Sequence, residues 1–233
     1  MRTAADIHHG LLTSMFAVAL VFLSPVAGCP GSPAWGTHCS AKLTVNVQQT
    51  CSDFTKEVAS RVAGVGGWSD PHNSGKYTIT GRSDSKLQLQ RRTGDEKYTD
   101  KMDLGLAAAA GGGCTVTACS ESQVASYLDK STNYCNLRNL YCSSADGCPF
   151  AQTDLGYTDH VVKMGAGATH DFSKCVVSKP ALCLAKLQGV CTAERAQGAA
   201  ACQTCAGTHQ QELMKGHCTS AMLSSFCKEV PTH

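Results

Sequence analysis

Residues 42–67, KLTVNVQQTCSDFTKEVASRVAGVGG, join a strand to a helix. Leu43, Val45 and Val47 alternate with Lys42, Thr44 and Asn46, the period-two pattern of a half-buried strand. The period then changes. Phe54, Val58, Val62 and Val65 recur at helical spacing and form one apolar stripe. Thr50, with Asp53 three residues on, resembles a capping box and opens the helix. Gly64, Gly66 and Gly67 end it, because glycine takes the left-handed conformation that stops a helix. One apolar stripe needs one surface to bury it.

That surface follows in the chain. After a turn-rich stretch, Trp68 to Gly75, Tyr77 and Ile79 alternate with polar residues, as do Leu87 and Leu89. Ser83-Asp84-Ser85 between them makes a hairpin. Met102, Leu104 and Leu106 mark another strand, and Cys114, Val116 and Ala118 a further one. The run Ala107–Gly113 carries no side chain able to specify packing and reads as a flexible loop. Strand, helix and about four antiparallel strands predict an α+β fold with one helix packed on the sheet, the element order of a cystatin-like topology. The cystatin Gln-x-Val-x-Gly pattern is missing from the first hairpin, where Tyr77–Gly81 reads YTITG.

Residues 119–175 are polar and aperiodic and read as an irregular extension held to the sheet by cross-links. From Pro180 the character becomes helical. A short helix carries Leu182, Leu184 and Leu187. A longer one runs from Ala193 to about Lys215 with weak points at Gly198 and Gly207. A third carries Met222, Leu223 and Phe226 and is capped by Thr219. The expected C-terminal unit is a disulfide-stapled three-helix module.

Fifteen cysteines punctuate the chain, at 29, 39, 51, 114, 119, 135, 142, 148, 175, 183, 191, 202, 205, 218 and 227. Residues 1–28 read as a secretory signal peptide: Arg2, the apolar run Leu11–Leu23, then small Val26 and Gly28. Export makes the thiols disulfide candidates, and the odd count leaves one unpaired. Cys29 to Cys39, CPGSPAWGTHC, is most simply a small disulfide loop. Val26-Ala27-Gly28-Cys29 also matches a lipobox, which in a bacterium would anchor the chain through lipidated Cys29. The expected division is signal peptide 1–28, Pro/Gly-rich Cys loop 29–41, disulfide-rich α+β domain 42–175 and helical Cys-rich domain 180–229. Twenty basic against eighteen acidic side chains form no basic stripe, which argues against nucleic acid. No later segment is apolar enough for a transmembrane helix, and no cofactor motif is present.

The stretches Trp68–Asn73 (WSDPHN), Cys119–Gln123 (CSESQ) and Thr132–Cys142 (TNYCNLRNLYC) resemble those of secreted cysteine-rich proteins of single-celled algae and related protists. The CxxC at Cys202–Cys205, followed by His209 and Phe226-Cys227, resembles helical cysteine modules of the same proteins. The resemblance covers most of the chain after residue 28 and implies secretion and no particular activity. The helical part is also similar to saposin-like and twin-cysteine hairpins, but Cys183–Cys191 and Cys218–Cys227 enclose seven and eight residues rather than one repeated gap.

The candidate chemistry is sparse. Cys202 and Cys205 could be a redox pair, or with His209 and His217 or Cys218 a zinc site; disulfides to neighbouring helices are the stronger reading, so no metal is expected. Asp159-His160, His170-Asp171 and the Asp70/His72/Asn73 cluster offer hydrolase groups without a nucleophile motif. Glu121 with Asp129 is a carboxylate pair at chance level. Arg82, Lys86, Arg91 and Arg92 read as a solvated strand face. The favoured reading is a non-enzymatic extracellular binding or surface protein, its partner an extracellular protein, glycan or cell-surface ligand. Asn133, Tyr134, Asn136, Arg138, Asn139 and Tyr141 are the candidate binding residues, with core packing of Tyr134 and Tyr141 an equal alternative. A secreted hydrolase, a cystatin-like inhibitor and lipid binding by the helical module are the rivals.

Overall fold

The computed structural model describes residues 29–216 and 218–228. Residues 1–28, which the sequence reads as a signal peptide, and His217 lie outside the described residues.

The fold is α+β. Six antiparallel strands run β1 (Ser40–Val47), β2 (Lys76–Ser83), β3 (Lys86–Arg92), β4 (Thr99–Ala108), β5 (Cys114–Ser122) and β6 (Tyr157–Lys163). Their order in the sheet is β2-β3-β4-β5-β1-β6. The first strand therefore lies between the last two, with Val45 opposite Val116 on one side and Asp159 on the other. The sixth strand falls inside the stretch that reads as irregular. Its pattern is mostly exposed, so no alternation betrays it. The Ala107–Gly113 run is a tight hairpin rather than a flexible loop: Ala109 N donates to Gly113 O at 2.9 Å.

Helix α1 (Cys51–Val62) starts as expected, with Asp53 N donating to Thr50 Oγ1 at 3.1 Å. Phe54 and Val58 are buried in the sheet-facing core. The stripe stops there. Val62 is only partly buried, and Val65 lies beyond the helix and is exposed. The helix instead buries Glu57 and Arg61 under the 149–153 segment. Glu57 accepts from the backbone N–H groups of Ala151, Gln152 and Thr153 at 2.7–2.8 Å.

A second helix, α2 (Thr132–Arg138), shares the sheet with α1, where one helix was expected. Its polar residues face inward, so hydrophobic periodicity misses it. Cys51–Cys114 ties α1 to β5, Cys135–Cys175 ties α2 to the 172–175 turn, and Cys142–Cys148 closes the loop after α2.

The expected Cys29–Cys39 loop does not form. Cys29 bonds Cys119, and Cys39 is the free thiol, buried. The reason lies in β5. Its pleat sends Ser120 and Ser122 inward and Cys119 and Glu121 outward. Glu121 takes Gly31 N and His38 Nε2, each at 2.7 Å, and so straps residues 29–38 across the outer face. A disulfide-bonded Cys29 also leaves no thiol for a lipid.

The C-terminal helices are α3 (Lys179–Ala196), α4 (Ala199–Thr208), α5 (Gln210–Lys215) and α6 (Ser220–Lys228). The first is longer than expected, and the break falls at Gly198, whose φ is 119°. All six cysteines here pair among themselves: Cys183–Cys218, Cys191–Cys205 and Cys202–Cys227. They build a second buried cluster with Leu187, Leu213 and Phe226. Gln188 joins it to the sheet unit by exchanging hydrogen bonds with the Phe150 backbone. No helix among the described residues is long and apolar enough to cross a membrane. Seven disulfides fit an extracellular or secretory compartment.

Candidate functional site

A cleft of about 600 Å³ opens between the 93–98 turn and the 122–132 segment. Thr93 holds the turn: Thr93 Oγ1 donates to Asp95 Oδ1 at 2.6 Å and accepts from Tyr98 N at 3.2 Å. Gly94 sets the turn against residues 73–74. A Cβ there would lie 2.4 Å from the Asn73 carbonyl oxygen, so no other residue fits without moving the backbone. On the other side, Asp129 N donates to Ala166 O, and Ser131 Oγ exchanges hydrogen bonds with the Thr169 backbone. Cys39 closes one wall, its N–H donating to Ser126 Oγ at 2.9 Å.

The rim carries exposed apolar side chains beside the exposed charges of Asp95 and Lys130. Tyr98, Tyr127 and Leu128 are 51%, 73% and 67% solvent-accessible. The floor is polar and buried. Asp100 and Ser122 face each other across β4 and β5. Ser122 Oγ donates to Asp100 Oδ1 at 2.7 Å, and Asn136 Nδ2 to Asp100 Oδ2 at 2.8 Å. Asn133 Nδ2 donates to Ser122 Oγ and to Asp129 Oδ1, linking the two carboxylates. Asn133 N also donates to Asp129 Oδ1 at 3.0 Å, whereas Asp129 Oδ2 has no donor. Burial raises the Asp129 pKa above the usual carboxylate value, and the nearby Asp100 charge adds to it.

Six carboxylates are buried among the described residues: Glu57, Asp70, Asp100, Asp103, Glu121 and Asp129. Four have a basic partner, Glu57 with Arg61, Asp70 with Arg91, Asp103 with Lys86 and Glu121 with His38. Asp100 and Asp129 form no contact ion pair, with Arg91 and His72 acting on them only at longer range, and both line this cleft. Arg91 sits opposite Asp100 on β3; its Nη2 donates to Asp70 and Asn73, its Nε and Nη1 have no hydrogen-bond partner, and its charge acts on Asp100 without a contact between them. Lys130 lines the cleft, is exposed and forms no ion pair with a described residue.

Backbone strain gathers at the same place. Ser74, Glu96, Lys130 and Ser131 are the non-glycine residues with positive φ among the described residues. All lie in the turns that frame the cleft. Each costs on the order of 1 kcal/mol, a cost the surrounding structure must offset.

The six candidate binding residues at 133–141 are all buried. Asn133 and Asn136 hold the cleft floor from behind. Asn139 donates to Asp70 and to the Cys175 carbonyl. Tyr141 donates to Asp159 at 2.6 Å. Tyr134 packs in the core. Arg138 is surrounded by Tyr141, Tyr157 and Phe172 and pairs with Asp146 and Asp159. A recognition loop needs exposed side chains, and these side chains are the internal support instead. Similarly, Arg91 is not on a solvated face but buried against Asp70.

The hydrolase groups do not come together. His72 donates to the Lys174 carbonyl, Asp159 accepts from Tyr141, and Asp171 caps a short turn at Ser173. Glu121 lies on the far face of β5 from Asp129. Cys202 and Cys205 are both in disulfides, which leaves no thiolate for redox or zinc chemistry.

The sequence reading missed Tyr98, Asp100, Tyr127 and Leu128. One signal was available: Asp100 is in phase with Met102, Leu104 and Leu106, so the strand pattern itself places a carboxylate on the inward register. No protein-family model, no curated protein and no solved structure matches this chain.

Proposed function

We propose that this is an extracellular binding protein whose ligand occupies the cleft between the 93–98 turn and the 122–132 segment. The observation that carries the reading is the pairing of an exposed Tyr98/Tyr127/Leu128 rim with a buried polar floor. Specific ligand sites combine apolar contact area with a few fixed polar groups. Tyrosines supply that area at low entropic cost. The floor is rigid because Asn133 and Asn136 come from a disulfide-anchored helix. The units 42–175 and 180–229 divide the work in this reading: the first carries the cleft, and the helical unit braces it through Gln188.

An array of extracellular glycans, peptides and amines, probed with wild type and with a Tyr98→Ala/Tyr127→Ala variant, tests it. Both substitutions are at exposed positions, so the fold should survive. Selective binding lost in the variant supports the reading. Binding unaffected by the substitutions contradicts it.

A further inference from the structure

We infer that the cleft accepts a primary ammonium group, held by Asp100 and Asp129, with the carrier of that group against Tyr98 and Tyr127. This rests on the cleft being the binding site.

Burying a carboxylate without a contact ion pair is costly, and four of the six buried carboxylates among the described residues have one. The two exceptions lie in one cleft and are bridged by Asn133 and Ser122. Two independent lapses would fall at random; two in one cleft leave room for a positive charge from outside. The acceptor positions fit this. An ionised carboxylate offers about four acceptor sites. Asp100 uses one at each oxygen, and Asp129 uses two at Oδ1 and none at Oδ2. An ammonium brings three donors. The tyrosine faces at the rim favour a cation over a neutral group. Asp129 lines the cleft and is 5% accessible, and its Oδ2, buried beside Gly165, is an unpartnered acceptor. A hard metal ion is the poorer match, because calcium takes about six to eight oxygen ligands. No cluster of three ligating side chains occurs among the described residues.

The ammonium could be carried by a lysine side chain or an amino sugar, and the test separates them. The disulfide-intact protein is titrated calorimetrically with Nα-acetyl-lysine amide against the norleucine analogue, and with glucosamine against glucose. Calcium chloride alone is the control. The expected result is that one amine binds and its neutral counterpart binds about tenfold more weakly or not at all. Asp100→Asn and Asp129→Asn should each lose about tenfold or more. Tyr127→Ala, at an exposed position, should weaken binding without moving the melting temperature, which keeps the test valid if an Asp variant misfolds. Equal binding of the neutral analogues, a response to calcium but not to the amines, no binding in either arm, or wild-type affinity in a folded Asp129→Asn protein would each overturn the inference. Neutral ligands that still require Tyr98 and Tyr127 would overturn only the ammonium and leave the binding reading standing.

Discussion

The carboxylate of Glu57 and the guanidinium of Arg61 meet at 2.7 Å inside the molecule, and neither side chain reaches solvent. Arg61 also donates to the Asn139 carbonyl, and Glu57 orders the 151–153 backbone. Removing one member strands the other. Glu57→Ala should cost about 3–5 kcal/mol of unfolding free energy in denaturant titrations under non-reducing conditions. A Glu57→Leu/Arg61→Met double variant should cost less than the sum of its single variants.

Gly94→Ala probes the wall of the cleft. Its methyl group would meet the Asn73 carbonyl at 2.4 Å and the Ser74 carbonyl at 3.2 Å. Neither backbone atom can swing aside as a long side chain does. The substitution should destabilise by about 1–3 kcal/mol and shift the amide NMR signals of the 93–98 turn. Ligand affinity should fall with it. Gly189→Ala, inside α3 where a Cβ meets nothing within 4 Å, is the control and should instead stabilise by about 0.5–1 kcal/mol.

The thiol count gives an independent check. Cys39 is the free cysteine, and it is buried. A thiol reagent should label none of the native protein and one site per chain in denaturant without reductant. The labelled peptide should contain Cys39. Cys39→Ala should leave no reactive site and all seven disulfides in place. Label on Cys29 or Cys119 would contradict the strap over β5.

The strand–helix–sheet plan was legible because Leu43, Val45, Val47, Phe54 and Val58 follow simple periods. The cysteines of the helical tail were legible because they pair locally. The rest was hidden where polar residues fill the core. Asn133, Asn136, Arg61 and Glu57 are buried by hydrogen bonding, and a hydrophobic pattern has no way to register that. The cleft depends on residues about 30 apart in sequence, Asp100 and Asp129, meeting through Asn133, a contact that no local motif encodes. The Cys29–Cys119 pairing was hidden for the same reason: proximity in sequence favoured Cys39, while Glu121 draws the strap toward β5.

Acid should destabilise the protein through His72. Burial lowers its pKa below the ordinary 6.5 despite the Lys174 carbonyl and the Asp70 charge, which act the other way. The unfolded chain then binds more protons than the folded one just below pH 6.5, so stability rises with pH in that window and falls on acidification. Asp70, held low by Arg91 against its burial, adds loss in the same direction at lower pH, below about 4. Asp129 has the opposite sign, since its raised pKa favours the folded form when protonated. His72→Gln isolates the histidine. The slope of unfolding free energy between pH 7 and pH 5 should flatten in the variant and leave the Asp contributions unchanged.

The melting temperature of Asp129→Asn, measured beside Asp70→Asn without ligand at neutral pH, tests the unpaired cleft carboxylate most directly. Asp70 has Arg91, Gly75 N and Asn139 as partners, so its loss leaves a buried guanidinium unpaired. It should lower the midpoint by about 6 °C or more. Asp129 has no contact ion pair and an orphaned Oδ2, so its amide removes a buried charge and keeps the acceptor for Asn133. It should raise the midpoint by about 2–4 °C. A fall in the Asp129→Asn midpoint like that of Asp70→Asn would mean that Asp129 already has its partner within the fold, and would contradict a cleft held open for a cation.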